Sequence, residues 1–457
     1  MLVTAVAAAT IMGDSMLYNV LPSQVDAFGI SVGLVGVLLS ANRLVRLVSN
    51  LVAAWAMERL GMRGPLLASG FLALGTTVAY GTAPWFSVLL VARLVWGMTF
   101  SVFRLSGYLV VLEESSDGSR GRLMGFFTSG MRIGSIIGVL LGGLLFDVTG
   151  RTVSFLVIAA IGLVGLPAAL ALLKSGHAAV IESAPSADGA GKDLPHTDST
   201  QSPAISQKAS ENPIQTESPD HSSSATSLTS VRPSGPATLS EKIWDVLISK
   251  APELSFRQRR MILTANFTFF CFQLVMNGVL ISSLGYFLNL RLGAGAAIAG
   301  MVIGIATLNG MLISTRWISG LSAPYFGHVG DKYGRTRILA VSIPICLVAL
   351  LLLAFSPSLW LIVAWLPVAF VATAASITAL DSLVGGLAPE RRRAQIMSRY
   401  ATWQDSGSAL GPLIVFAVLE YTTSSFVFVY LGGATLLAFA FVVFLTTVRA
   451  GRADEVS

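Results

Sequence analysis

The sequence predicts an all-α membrane protein with twelve transmembrane helices arranged as two pseudo-symmetric six-helix bundles. Three observations predict it: the apolar composition, the number and length of uncharged runs, and an internal repeat at one constant offset. The 457 residues are 54% hydrophobic and 12% charged, with a mean hydropathy of +0.73, far from the mix that a water-soluble domain needs. A helix that crosses the roughly 30 Å hydrocarbon layer takes about 20 mostly apolar residues, because each backbone amide must find its partner within its own segment. Twelve such runs lie near residues 2–21, 31–57, 65–82, 86–112, 121–145, 152–173, 260–288, 296–323, 337–355, 359–387, 394–419 and 425–448.

The first run is too long, and followed too closely by the second, to be a cleaved signal peptide, so it is expected to be the first span. Residues 1–174 then form the first bundle and 256–449 the second, with a short tail at 450–457. Between them, residues 175–255 are rich in Ser, Pro, Thr, Asp and Glu and poor in large apolar residues, the composition of a disordered linker. Near its end, two readings of residues 241–250 stay open: a short amphipathic helix with Ile243, Trp244, Leu247 and Ile248 along one side, or a local collapse with no role.

Charge sets the expected orientation. Arg59, Arg63, Arg120, Arg122, Lys332, Arg335, Arg337, Arg391, Arg392, Arg393, Arg449 and Arg452 fall on the side of the termini and the linker, with only Arg151 and Arg291 on the other. The positive-inside rule makes that side cytoplasmic. The same rule explains the net charge of +6 without nucleic acid. The expected setting is a multi-pass protein of a bacterial inner (cytoplasmic) membrane that works as a monomer.

The halves repeat each other in register. Arg43 and Arg316 are separated by 316 − 43 = 273 positions, and the same offset relates Glu58-Arg59 to Asp331-Lys332, Gly61 to Gly334, Arg120 to Arg393, Gly134 to Gly407 and Gly138 to Gly411. A duplicated helical unit leaves such a register behind.

The sharpest motif is GHVGDKYGRTR, from Gly327 through Asp331, Lys332 and Gly334 to Arg335 and Arg337, in the loop between the eighth and ninth spans. It resembles the signature loop of the major facilitator superfamily, and its counterpart in the first half keeps Glu58, Arg59, Gly61 and Arg63. In the first span, Gly13 and Val20-Leu21-Pro22 resemble the pattern of the drug:proton antiporter branch, with Asn19 standing where that pattern has its first Pro. Arg93 to Gly97 resembles that branch's Arg-x-x-x-Gly motif. The fifth span lacks the branch's Gly-Pro pair, which occurs instead as Gly411-Pro412 in the eleventh. The resemblance implies the major facilitator fold and a secondary transporter whose signature loops act as a conformational switch.

Charges inside the spans mark the expected site, because an ion at the bilayer centre is costly without a partner or a wet cavity. Arg43, Arg46, Arg93, Arg104, Arg132, Arg316 and Arg399 oppose Asp14, Asp381 and Asp405. A surplus of guanidinium suits carboxylate or phosphate ligands, which it binds bidentately. Arg43, Arg132, Arg316 and Asn19 are the candidate substrate contacts, and Asp14, Asp405 and Arg93 the candidate proton-coupling residues. The structural alternative is that the arginines tie helices together through backbone carbonyls or Glu58, Glu113 and Glu114, and this alternative weighs most for Arg46 and Arg104. Asp14 is either a proton site or a plain ion-pair partner of Arg43 or Arg132. Two substrates stay open: an amphipathic drug, carried outward, and a small organic anion. A receptor or assembly role without transport also stays open. Cys271 and Cys346 lie within spans, the four histidines have no metal-ligand neighbours at useful spacing, and no nucleophile or acid–base cluster marks a membrane face. No enzyme activity, metal or other cofactor is therefore expected.

Overall fold

The computed structural model describes residues 2–114, 120–164, 254–293, 295–298, 301–356, 358–422 and 425–456. The linker expected at 175–255, with its short helix at 241–250, lies outside them but for Leu254 and Ser255. The first half comprises α1 (Leu2–Ser23), α2 (Val32–Leu60), α3 (Arg63–Thr82), α4 (Phe86–Glu114) and α5 (Arg120–Val164). The last is two spans set end to end, broken where Gly150 takes a positive φ of 74°, a conformation that glycine adopts without steric cost. The second half begins with one long span made of α6 (Phe256–Phe272), a π-helical stretch (Gln273–Leu280) and α7 (Ile281–Leu292). Ser255 starts it with a capping box: its Oγ accepts from the Gln258 amide at 3.2 Å, and its own amide donates to Gln258 Oε1 at 3.0 Å. Then come α8 (Ile305–Ser319), α9 (Ala323–Tyr333), α10 (Arg335–Phe355), α11 (Leu359–Leu387), α12 (Arg393–Tyr421) and α13 (Phe426–Val456). Among the described residues, seven helical stretches are by themselves long and apolar enough to cross a membrane. One of these is the double span of α5, and α1, α3, α8 and α12 complete the twelve.

The structure differs from the sequence expectation at the signature loop, where Gly327–Tyr333 is the end of α9 and Gly334 alone separates it from α10, and at the start of the eighth span. The eighth span was expected from residue 296, but Gly295–Ile298 and Met301–Gly304 pair as an antiparallel hairpin, β1 and β2, and α8 starts at Ile305. The start is fixed from the other half of the molecule. Asp147 of α5 accepts from the Ala306 and Thr307 amides, at 3.3 and 2.7 Å, and from the Thr307 hydroxyl at 2.6 Å. A carboxylate at the positive end of a helix satisfies amides that have no partner within the helix.

The repeat survives in three dimensions. Gly61 closes α2 with φ 71°, and Gly334, at the same offset, closes α9 with φ 95°. A methyl group on Gly134 would strike the Ala8 carbonyl, and one on Gly138 the Met12 carbonyl. In the second half, Gly407 meets the Phe270 carbonyl and Gly411 the Leu274 carbonyl. Both pairs of contacted residues are 262 positions apart (270 − 8 and 274 − 12). The absence of a Cβ lets α5 run against α1, and α12 against the α6–π span, at backbone contact.

The two bundles meet through α2 with α12, α5 with α8, and α1 with α7. Most polar contacts across this seam lie at the end of the molecule remote from the Gly327–Arg337 loop. There, Asn19 Nδ2 donates across to the Ala306 carbonyl at 2.9 Å, as it does within its own bundle to the Val139 carbonyl at 2.9 Å, and Asn309 Nδ2 donates to Asn19 Oδ1 at 2.8 Å. Asn289 donates to the Ser23 carbonyl, and the Gly33 amide to Glu420 Oε2 at 2.7 Å. Nearer the loop, Arg132 Nη1 donates to the Gly320 carbonyl at 2.9 Å.

Candidate functional site

Between the bundles lies a cavity of about 140 Å³, bounded on one side by α1, α2, α4 and α5 and on the other by α7 and α8. Its polar wall consists of Asp14, Ser15, Tyr18, Arg43, Arg46, Ser135 and Arg316, and its apolar wall includes Ile11, Phe100, Val139, Ile281, Ile313 and Trp317. The arrangement follows from helix geometry. Asp14 and Tyr18 are one turn apart on α1, and Arg43 and Arg46 three residues apart on α2, so each pair presents itself on one face.

Asp14 pairs with Arg93 of α4, neither with Arg43 nor with Arg132. Arg93 is fully buried and Asp14 only 7% exposed, so the pair stands largely out of water, where each charge depends on the other. Arg93 Nε also donates to the Leu38 carbonyl at 3.0 Å, and the guanidinium lies 4.8 Å from the Tyr18 ring centre. Asn42 supplies the second contact to Asp14 Oδ1, at 3.2 Å. With Asp14 engaged in this way, the cavity wall retains three further guanidinium groups. Arg43 donates from Nε to the Tyr18 hydroxyl at 3.3 Å. Arg46 donates to Asn42 Oδ1 at 2.8 Å and lies over the Phe100 ring at 4.0 Å. Arg316 lies over the Trp317 ring at 4.7 Å, within the fields of Arg43 and Arg132.

The remaining expected site residues are distributed elsewhere. Asn19 is not in the cavity wall but wholly buried in the seam. Arg132 spans the seam to Gly320, and Arg104 of α4 donates to Asn50 Oδ1 at 3.1 Å. Asp405 of α12 is half-buried, and its charge acts on Arg46. Asp381 accepts from the Tyr400 hydroxyl at 2.8 Å. In the signature loop, Asp331 and Arg335 pair at 3.2 Å, and Arg335 reaches across to the Ser382 carbonyl at the end of α11. Gly327 approaches Thr378 of the same helix, and Lys332 lies 5.1 Å from the Tyr333 ring centre. In the first-half counterpart, Glu58 and Arg59 are exposed.

Sequence reasoning passed over Asn42, Tyr18 and Asp147. Asn42 was open to discovery, since it is adjacent to Arg43 and one turn before Arg46 within a span, where a carboxamide also demands partners. From the sequence, Arg151 is a charge outside the membrane and no more. It ties loops together, donating to the Tyr80 carbonyl at 2.9 Å and the Ala83 carbonyl at 2.7 Å, with Phe28 beneath its guanidinium at 4.5 Å.

Comparison with known proteins agrees with this architecture. Residues 3–319 and 310–456 match the sequence model of the Major Facilitator Superfamily. A synaptic vesicular amine transporter of Homo sapiens is 28% identical over 128 residues, which are 28% of this chain and 25% of that protein. The vesicular acetylcholine transporter of Rattus norvegicus is 27% identical over 146 residues, 32% of this chain and 28% of that one. These alignments span about a quarter of the length of the relatives. Among solved structures, a peptide transporter, POT, in complex with sulfate superposes with a TM-score of 0.68 at 15% identity, covering 99% of this chain and 94% of the other. The nucleoside transporter NupG superposes with a TM-score of 0.67 at 12% identity, covering 98% and 99%. With a matching family model over nearly its whole length and the fold seen in these structures, the chain belongs to the Major Facilitator Superfamily.

Proposed function

We propose that the chain carries a small organic anion, coupled to protons, through the cavity between its bundles. The observation that supports this reading most is the charge of the wall. Arg43, Arg46 and Arg316 all line it, while Asp14, its one carboxylate among the described residues, is held by Arg93. Planar guanidinium groups recognise a carboxylate or phosphate, and the aromatic and aliphatic side chains beside them accommodate an organic body. Asp14 is the proton site: a proton on its carboxylate removes the charge that attracts Arg93, which ties protonation to a change in the wall's charge. Asp405 is the corresponding carboxylate of the second half. Arg43 and Arg316 are the substrate contacts of opposite bundles, and an anion bridging them draws the bundles together. The signature loops switch the arrangement, with Asp331, Arg335 and the Ser382 carbonyl as their contacts in the second half. The termini face the cytoplasm, in keeping with the distribution of Lys and Arg.

Uptake into proteoliposomes under an imposed pH gradient tests this reading, with monocarboxylates, organic phosphates, amines and neutral solutes offered in parallel. Gradient-dependent uptake of an anion, weakened about ten- to a hundredfold by Arg316→Gln, is the expected outcome. A second reading, transport of an amine, draws on the names of the vesicular relatives. An amine is a cation at neutral pH, and here it would meet three arginines. Uptake of amines alone, unchanged by Arg316→Gln, would replace the anion reading with this one.

A further inference from the structure

Asn42 stands between the proton site and the anion site, and its amide touches both. It is wholly buried on α2, and its backbone is held against Gly97 of α4, where a methyl group would strike the Asn42 carbonyl and Cα. Its Nδ2 donates to Asp14 Oδ1 at 3.2 Å, and its Oδ1 accepts from Arg46 at 2.8 Å. A carboxamide has one donor end and one acceptor end, so the two contacts depend on each other: an NH2 turned to Asp14 obliges the carbonyl to face Arg46. Arg46 lines the cavity, yet its Nε is buried and bonds to no acceptor.

We propose that Asn42 is a positioning residue through which protonation of Asp14 releases Arg46 to an anionic substrate, so that proton and anion are bound together. The inference rests on the reading of Asp14 and the arginines given above. With Asp14 ionised, the carboxylate accepts from the Asn42 NH2, and the Asn42 carbonyl holds Arg46. A proton arriving on Asp14 creates an O–H donor, which the Asn42 carbonyl can accept after a half-turn of the amide. The NH2 then faces the Arg46 guanidinium, donor against donor, and Arg46 turns to the carboxylate or phosphate in the cavity. No covalent bond changes other than the O–H formed on Asp14. Loss of the Asp14 charge also leaves the wall more positive, so both effects act in one direction. By reciprocity, the anion strengthens proton binding as much as the proton strengthens anion binding.

The charged and titratable groups facing Asp14 are Tyr18 on α1, Arg43 and Arg46 on α2, Tyr80 on α3 and Arg93 on α4. Arg316 faces it across the cavity, and Asp405 acts on Arg46. Arginine and tyrosine ordinarily keep their protons between about pH 5 and pH 8, so a response in that window is assigned by substitution at Asp14 and Asp405.

Iodide quenching of Trp317, which lines the cavity beside Arg316, reads the local anion concentration for any substrate, with acrylamide as the neutral quencher. The chain has 8 tryptophans, so the Trp317 signal is taken as the difference between each protein and its Trp317→Phe counterpart. In the parent, the ratio of iodide to acrylamide quenching should rise about two- to tenfold from ~pH 8 to ~pH 5. Asn42→Leu and Asn42→Ser, each checked for a monodisperse fold, should show a raised ratio already at the higher pH and less than half of the parent's rise. Both variants behaving as the parent does would overturn the inference while leaving the anion site standing. So would an Arg316-dependent ratio that ignores pH in the parent, or a rise abolished by Asp405→Asn, which would place the proton on α12. If iodide instead gains nothing over acrylamide and Arg316→Gln changes nothing, the anion reading itself fails.

Discussion

Replacing Asn19 by Ala should shift the balance between the arrangement described here and the one with the seam parted, by an amount that the hydrogen bonds give directly. The Asn19 side chain makes three of them, to the Val139 carbonyl, the Ala306 carbonyl and the Asn309 amide. The bond to Val139 stays within the first bundle and is kept in either arrangement, so its loss costs both alike. The bonds to Ala306 and Asn309 cross between bundles and exist only while the seam is closed. At about 0.5–1.5 kcal/mol each, their removal disfavours the closed seam by about 1–3 kcal/mol, or roughly 5- to 150-fold in population. Alanine avoids a clash, since Gly143 and Gly310 already crowd the Asn19 amide. The assay is single-molecule distance measurement between dyes placed on the two bundles at the end remote from the signature loop, in proteoliposomes without substrate. A folded variant whose open fraction rises less than twofold would refute the reasoning, because the seam bonds would then be replaced elsewhere at no cost.

Other outcomes follow from the same contacts. Asp14→Asn should abolish the response of transport to a pH gradient while exchange of substrate persists, since the amide imitates a protonated carboxyl; gradient-driven accumulation by the variant would remove Asp14 from the coupling. Asp331→Asn should slow the conformational cycle and leave substrate affinity unchanged, because its partner Arg335 grips the end of α11 at Ser382 rather than the cavity; a changed Kd with an unchanged cycling rate would contradict this. A protease site inserted between residues 185 and 235 should be cut only from the cytoplasmic face, and cleavage from the opposite face would invert the orientation argued from Lys and Arg.

Depth along a helix was legible in the sequence, whereas the direction in which a side chain points was not. The span expected at 359–387 is α11 to the residue, because hydrophobic length responds to the membrane alone. Hydropathy does not separate a short apolar strand from the start of a helix, which is why the 295–304 hairpin was read as part of the eighth span. The beginning of α8 depends on Asp147, 159 positions earlier in the chain than Ala306. Arg46 and Arg132 show the same limit within the site. Sequence reasoning weighed Arg46 toward a strut and Arg132 toward a ligand, whereas Arg46 lines the cavity and Arg132 meets a backbone carbonyl. The Asp14–Arg93 pair, 79 positions apart, could be anticipated only as a shortage of carboxylates, not as a choice among arginines.

The glycine contacts divide the molecule mechanically. Where Gly134 and Gly138 rest on α1, and Gly407 and Gly411 on the α6–π span, main chain touches main chain with no side chain between to change rotamer. Such junctions behave as welds, and each helix pair moves as one rod. Gly36 on the Pro412 carbonyl, Gly143 on the Ala306 carbonyl and Gly310 on the Val139 carbonyl are just as tight, yet they join opposite bundles, and the transport proposed above requires them to part at every turnover. They act as bearing surfaces: bare backbone meets backbone at these points, and the Asn19 amide lodged beside Gly143 and Gly310 is the catch that must release when they part. A side chain grafted onto a weld should therefore harm assembly, whereas the same graft onto a bearing should leave a folded protein that cannot shut.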